Sequence, residues 1–202
     1  CKVPDLGLAE TRQAIDAAYD AQKLWSSKTG KERSSILKTF YELMMANAED
    51  LAKIITAEMG KPISEATGEI AYGASFIEFF AEEAKRIYGE TIPGHQADKK
   101  ILVIKQPIGV VTSITPWNFP NAMITRKLGP ALAAGCSFVA KPAEDTPLSA
   151  LAIAVLAERA GIPKGVLSIV TSNKSQVIGE EFCSNSKVRK LTFTGSTDVG
   201  KI

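Results

Sequence analysis

The 202 residues carry 24 Lys and Arg against 22 Asp and Glu, a formal charge of +2, with 45% hydrophobic and 23% charged residues. This is the balance of an ordinary globular chain with enough residues for a sizeable core, and it supplies no long-range field for nucleic acid or an anionic membrane. No apolar run approaches the ~20 residues of a bilayer span, and the three cysteines, Cys1, Cys136 and Cys183, fit a reducing compartment, cytoplasm or mitochondrial matrix, better than a disulfide scaffold.

The first ninety residues are helical in pattern. In "AETRQAIDAAYDAQKLW", Ile15, Ala18, Ala21 and Trp25 recur every three to four residues, which predicts an amphipathic helix. "TGKERSSILKTFYELMMANAEDLAKIITAE" opens with Thr29 and Glu32 in capping-box spacing. Its expected apolar face is Ile36, Phe40, Leu43, Met44, Leu51, Ile54 and Ile55. "SEATGEIAYGASFIEFFAEEAKRIYG" is the third helix, with Gly89 as its stop.

"ETIPGHQADKK" reads as a loop, and its His95, the only histidine, as solvated surface. From there the order is strand "ILVIKQ", strand "GVVTSIT", helix "NAMITRKLGPALAAG", strand "CSFVAK", helix "TPLSALAIAVLAERAG", strand "GVLSIV", helix "SQVIGEEFC", strand "KLTF" and a helix start at "GSTDVG". Gly129-Pro130 is expected to kink or split the first of those helices. Apolar strands alternating with helices predict a parallel sheet covered on both faces: an α/β, Rossmann-like, doubly wound fold preceded by a helical segment. The expected division is residues 1–92 helical, 93–108 a connecting loop and short strand, and 109–202 a partial Rossmann-like domain. The chain lacks an initiator Met and stops at Ile202 just inside a helix start, which cannot stand alone in water, so a longer polypeptide is expected.

Ligands of an open parallel sheet bind outside the carboxyl ends of its strands. Three residue groups fall at such ends. In "TPWNFP" the prolines Pro116 and Pro120 forbid a strand, leaving Asn118 either to cap the following helix or to aim its amide into the crevice as an oxyanion donor. In "KPAED", Lys141 and Glu144 suit the vicinal hydroxyls of a nucleotide ribose, or form a plain surface ion pair. "GSTDVGK" suits a phosphate at a helix N-terminus with Ser196 as an extra donor. It also approaches the P-loop pattern of a nucleotide hydrolase, and fails it at Ile202, where Ser or Thr must ligate magnesium. No metal-ligating spacing occurs.

In this order and spacing, "TPWNFP", "KPAE" and "FTGST" resemble the aldehyde dehydrogenase superfamily, and "NAMITRK" its succinate-semialdehyde branch. The resemblance runs over essentially the whole chain. It implies NAD as cofactor, which Glu144 favours by repelling a 2′-phosphate, with NADP possible because neighbouring residues can tolerate that group. It also implies a small semialdehyde substrate, no nucleic-acid or membrane partner, and a homo-oligomer at full length. Asn118 then matches the catalytic oxyanion stabiliser and Arg126 the guanidinium that faces the substrate carboxylate.

On the cofactor side, the resemblance implies that Ile114, Thr115, Pro116 and Trp117 lie along the cofactor, and that the turn Lys141, Pro142, Ala143 and Glu144 holds the adenosine ribose. Thr194, Gly195, Ser196, Thr197, Asp198 and Gly200 then sit at the pyrophosphate with Phe193 and Val199 against its apolar parts, and Gly179 occupies a later cofactor-side position. The family's nucleophilic cysteine and general-base glutamate correspond to positions beyond Ile202, and Cys136, at the start of an apolar strand, is no substitute. A non-catalytic dinucleotide-binding piece is the remaining alternative.

Overall fold

A computed structural model describes residues 2–201, so Cys1 and Ile202 lie outside the described residues. Four helices come first: α1 (Leu8–Ser27), α2 (Gly30–Ala46), α3 (Ala48–Met59) and α4 (Ile63–Glu83). The capping box forms as expected, with Glu32 N donating to Thr29 Oγ1 at 3.2 Å and Thr29 N to Glu32 Oε2 at 2.7 Å. The single long second helix of the sequence reading is in fact two, because Asn47 turns its side chain back onto the Leu43 carbonyl at 2.7 Å and adopts φ −109°, ψ 17°. On the expected apolar face Phe40, Met44, Leu51 and Ile55 are buried, while Leu37 takes the fully buried place beside the half-buried Ile36. α4 ends at Glu83, well before Gly89, because the chain must turn into a strand.

Residues read as loop form β1 (Glu90–Pro93), which pairs antiparallel with β2 (Lys100–Val103), the strand expected at "ILVIKQ" ending early at Val103, in a separate two-stranded sheet with Ile92 opposite Ile101. All of its residues are exposed, so no burial pattern marks it in the sequence. His95 is exposed, as expected.

The remaining elements alternate: β3 (Val110–Ile114), α5 (Ala122–Ala133), β4 (Ser137–Lys141), α6 (Pro147–Arg159), β5 (Leu167–Ile169), α7 (Ser175–Ser184) and β6 (Val188–Phe193). The four strands form one parallel sheet in the order β5-β4-β3-β6. α5 runs unbroken through Pro130, so the proline does not split it.

Period-two alternation divides the strand residues between two cores. Val111, Phe138 and Ala140 join the cluster built from α2 to α6, whereas Val110 and Val139 join Ile15, Ala18, Ile178 and Phe182 from α1 and α7 on the other face. Both faces are therefore covered, the condition that keeps parallel strands apolar on both sides. Trp25 ties the layers together: its indole N–H, fully buried, donates to the Leu132 carbonyl at 3.0 Å. Among the described residues no helix is long and apolar enough to cross a membrane, and no cluster of His, Cys, Asp or Glu is arranged to hold a metal ion.

Candidate active site

The sheet brings the three motifs to one line. Ile114 at the end of β3 stands level with Lys141 at the end of β4 and with Phe193 at the end of β6. Main-chain bonds continue one step beyond the ladder, Thr115 N to Lys141 O at 3.2 Å and Thr194 N to Ile114 O at 3.1 Å. The turns that follow all leave from this carboxyl edge, where an open parallel sheet receives its ligand.

In the first turn Thr115 is buried and its hydroxyl has no partner, while Trp117 is 53% exposed. Asn118 is exposed, and its side-chain amide makes no hydrogen bond with any described residue. The capping alternative is overturned by another residue. Glu69, from α4, accepts the main-chain N–H groups of Asn121 at 2.9 Å and Ala122 at 3.2 Å, so it caps α5 in place of any asparagine. Lys61, just after α3, pairs with Glu69 at 2.6 Å and donates to the Asn118 carbonyl at 2.8 Å. Sequence reading passed over both residues. The available signal was Glu69 itself, a carboxylate on the buried stripe of Ala66, Ile70, Gly73 and Ile77.

Arg126 lies on the exposed side of α5, with its guanidinium 5.4 Å from the centre of the Phe76 ring, and it has no acidic partner among the described residues. Its neighbour Lys127, also passed over, reaches Thr194 Oγ1 at 2.5 Å and so bridges α5 to the loop after β6. Burial holds the Lys127 amine below its ordinary range, and the adjacent Arg126 charge adds to the effect.

In the second turn Lys141 is only 2% exposed, which overturns the reading of a surface pair. Its amine donates to the Pro142 carbonyl at 3.1 Å and meets Glu144 at 3.4 Å. Glu144 is exposed, and Ser175 at the start of α7 reaches it at 3.4 Å. Partial burial works against its charge. Hydrogen bonds from its own main chain, the Lys141 charge and the Ser175 hydroxyl outweigh that, leaving the carboxyl below its ordinary range. Gly179, a turn further along α7, sits over Ile114: a Cβ there would lie 3.8 Å from Ile114 Cδ1.

In the third turn the expected helix start is a single 3-10 turn, Val199–Lys201, with Ser196 Oγ accepting Val199 N at 3.3 Å. The glycines here serve the aromatic ring before them. A Cβ at Gly195 would come within 2.5 Å of the Phe193 ring and one at Gly200 within 3.1 Å, so a side chain at Gly195 would displace the ring from under the loop, and one at Gly200 would crowd it. Thr197, Asp198 and Val199 are exposed. Ile202, the position at which the P-loop pattern fails, lies outside the described residues.

Of the described thiols, Cys136 is buried and Cys183 exposed. Cys136 precedes β4, five residues before Lys141 and so ~16 Å along the strand from the carboxyl edge. Cys183 lies at the far end of α7, whose first residue, Ser175, is the one beside Glu144. Neither is near Asn118.

The pattern that defines the aldehyde dehydrogenase family matches residues 1–202. The chain is 64% identical over 199 residues to a glutarate-semialdehyde dehydrogenase of Pseudomonas aeruginosa, a match covering 98% of the chain and 41% of that protein. It is 62% identical to a succinate-semialdehyde dehydrogenase [NADP(+)] of Escherichia coli, covering 98% of the chain and 41% of that protein. Among solved structures, the aldehyde dehydrogenase of Brucella melitensis biovar abortus superposes with a TM-score of 0.97 at 59% identity, over 98% of this chain and 41% of that one. The chain thus spans about two fifths of the length of the relatives it matches. On a match that runs from its first residue to its last, the chain belongs to the aldehyde dehydrogenase family.

Proposed function

We propose that the chain is the cofactor-side portion of an NAD(P)-dependent semialdehyde dehydrogenase, which oxidises an aldehyde bearing a terminal carboxylate to the carboxylic acid. The observation that carries this is the alignment of Ile114, Lys141 and Phe193 across the sheet, which sets a free amide, a charged carboxylate and a glycine loop along one edge. Relatives named for glutarate and succinate semialdehydes support the substrate class, since both aldehydes end in a carboxylate that Arg126 suits. The division into a helical part at 1–92, a connection at 93–108 and a dinucleotide-binding part at 109–202 belongs to the same proposal.

The residues fit a dinucleotide. Glu144 is accessible and its carboxyl lies below the ordinary range, as suits an acceptor of ribose hydroxyls, and the orphaned Thr115 hydroxyl belongs to the residue bonded through its main chain to Lys141 at the same strand ends. Lys141, Glu144 and Ser175 would hold the ribose, and the loop from Thr194 to Gly200 the pyrophosphate. The cofactor supplies a hydride acceptor. Asn118 donates its amide to the oxygen on which charge develops when a nucleophile adds to the aldehyde. Neither described thiol serves as that nucleophile, because both lie toward the other edge of the sheet. The 202-residue chain by itself is therefore proposed to turn over no aldehyde.

The test is fluorescence. Trp25 is fully buried and Trp117 is 53% exposed, so quenching on titration with NAD reports the site. In a full-length enzyme carrying this segment, NAD is expected to quench Trp117, and Glu144→Gln to weaken binding about ten-fold, in the range of a lost charge-assisted hydrogen bond. No quenching by NAD or NADP in a folded protein overturns the cofactor assignment. Quenching by magnesium-ATP alone would favour a nucleotide hydrolase instead.

A further inference from the structure

We propose that Lys61 and Glu69 are positioning residues for Asn118, an inference that rests on the oxyanion role proposed for that amide. The Lys61 ammonium makes three contacts at once: Glu69 Oε2 at 2.6 Å, the Asn118 carbonyl at 2.8 Å and the face of the Phe119 ring, 3.9 Å from its centre. Through its second oxygen Glu69 holds the N–H groups of Asn121 and Ala122 at 2.9 Å and 3.2 Å. One ion pair therefore grips both ends of the segment 118–121. Its members come from outside that segment, one from the junction after α3 and one from α4.

The pair is buried, with side-chain exposures of 8% for Lys61 and 0% for Glu69. Stability alone does not call for it, because apolar side chains of similar volume fill such a place as well or better. Asn121, the residue that would cap α5 from within, is fully buried with both amide atoms unpartnered, so the cap has been handed to Glu69. The Asn118 amide has no hydrogen bond of its own, and its direction is inherited from the backbone. Rotation of the peptide after Asn118 would strip Lys61 of an acceptor and leave a buried ammonium under-satisfied, which stiffens that peptide. A hydrogen-bond donor aimed at developing charge acts only while so held.

The experiment uses a full-length enzyme carrying this segment and four variants: Lys61→Met, Asn118→Ala, their combination, and Lys61→Met with Glu69→Leu. Turnover of succinate semialdehyde with NAD, NAD affinity by Trp117 quenching and thermal midpoint are measured for each. Lys61→Met is expected to lower kcat about ten- to a hundred-fold, the scale on which small misplacement of a catalytic group acts, with NAD affinity within about two-fold of the parent. In the Asn118→Ala background the same change should cost less than about two-fold, since the group it positions is gone.

Losses that multiply in the double variant overturn the positioning role while leaving that of Asn118 intact. An Asn118→Ala enzyme with undiminished kcat overturns the oxyanion role, and this inference with it. Should Lys61→Met fail to fold, the paired apolar variant buries no lone charge and, made with and without Asn118→Ala, carries the same comparison.

Discussion

Thr115 and Lys141 are joined by a main-chain hydrogen bond of 3.2 Å, one step past the last rung of the β3–β4 ladder. The turn that presents Asn118 and the turn that presents Glu144 therefore start from adjacent, hydrogen-bonded strand ends. Asn118 and Arg126 test the site at this edge, and Gly73 and Glu181 test the packing around it.

Removal of the Asn118 amide comes first. In a full-length enzyme carrying this segment, Asn118→Ala is expected to lower kcat about a hundred- to a thousand-fold, the range for loss of one oxyanion donor. The Asn118 side chain bonds to no described residue, so the thermal midpoint should stay within a few degrees of the parent. A kcat within ten-fold of the parent would exclude the role.

Arg126 should govern substrate rather than chemistry. Its guanidinium rests on Phe76 and pairs with no described acid, so it is available to a substrate carboxylate. Arg126→Met is expected to lower kcat/KM for succinate semialdehyde about ten- to a hundred-fold, the value of a charge-assisted contact, and to leave an uncharged aldehyde of similar length within about three-fold. Equal losses on both substrates would show that Arg126 supports the helix and does not bind substrate.

Gly73 tests the packing beneath the site. A Cβ there would meet Asn121 Oδ1 at 2.4 Å, Thr125 Oγ1 at 3.0 Å and Ala122 Cα at 3.3 Å, the first turn of α5. Gly73→Ala is expected to destabilise by about 1–3 kcal/mol through overpacking, although alanine on its own favours a helix by ~1 kcal/mol. Thermal unfolding measures it. A gain in stability would mean that the two helices are free to separate, contrary to the contacts described.

Glu181 gives a pH dependence with a definite sign. The Arg12 hydrogen bond holds its carboxyl below the ordinary value of 4.5, against burial and the Asp16 charge and with help from Asn185. A carboxyl depressed in the folded state contributes stability above its unfolded pKa, and that contribution is lost as pH falls through the folded value. Stability should therefore begin to fall below about pH 4.5, and Glu181→Gln should flatten this limb while lowering stability at neutral pH. Acid titration followed by circular dichroism checks it. An unchanged limb would assign the acid sensitivity to other carboxyls.

Much of this was legible in the residues. The parallel sheet followed from apolar strands alternating with helices, and the three motifs could be placed at strand ends by their prolines and glycines, because both signals are local. Of the hairpin only β2 was legible, as the start of the β-branched run "ILVIKQ"; β1 was not, because all four of its residues are exposed and its Pro93 and the following Gly94 read as loop. The break at Asn47 was missed because a helical stripe can resume in phase after a one-residue turn.

What the sequence determined by itself is the set of parts: a proline-bounded asparagine, a strand-ending lysine with a glutamate three residues on, and a glycine loop. Each is written in contiguous residues whose dihedral preferences and hydrogen-bonding groups act locally. What only the tertiary structure decided is which neighbour completes each part. The capping of α5 by Glu69, across a separation of more than fifty residues, the grip of Lys61 on the Asn118 carbonyl, and the closure of Gly195 and Gly200 over the Phe193 ring all depend on distances that exist only after the chain has packed. The physical reason is that a buried charge or an orphaned N–H must find its partner wherever the fold provides one, and the order of residues along the chain carries no record of that choice.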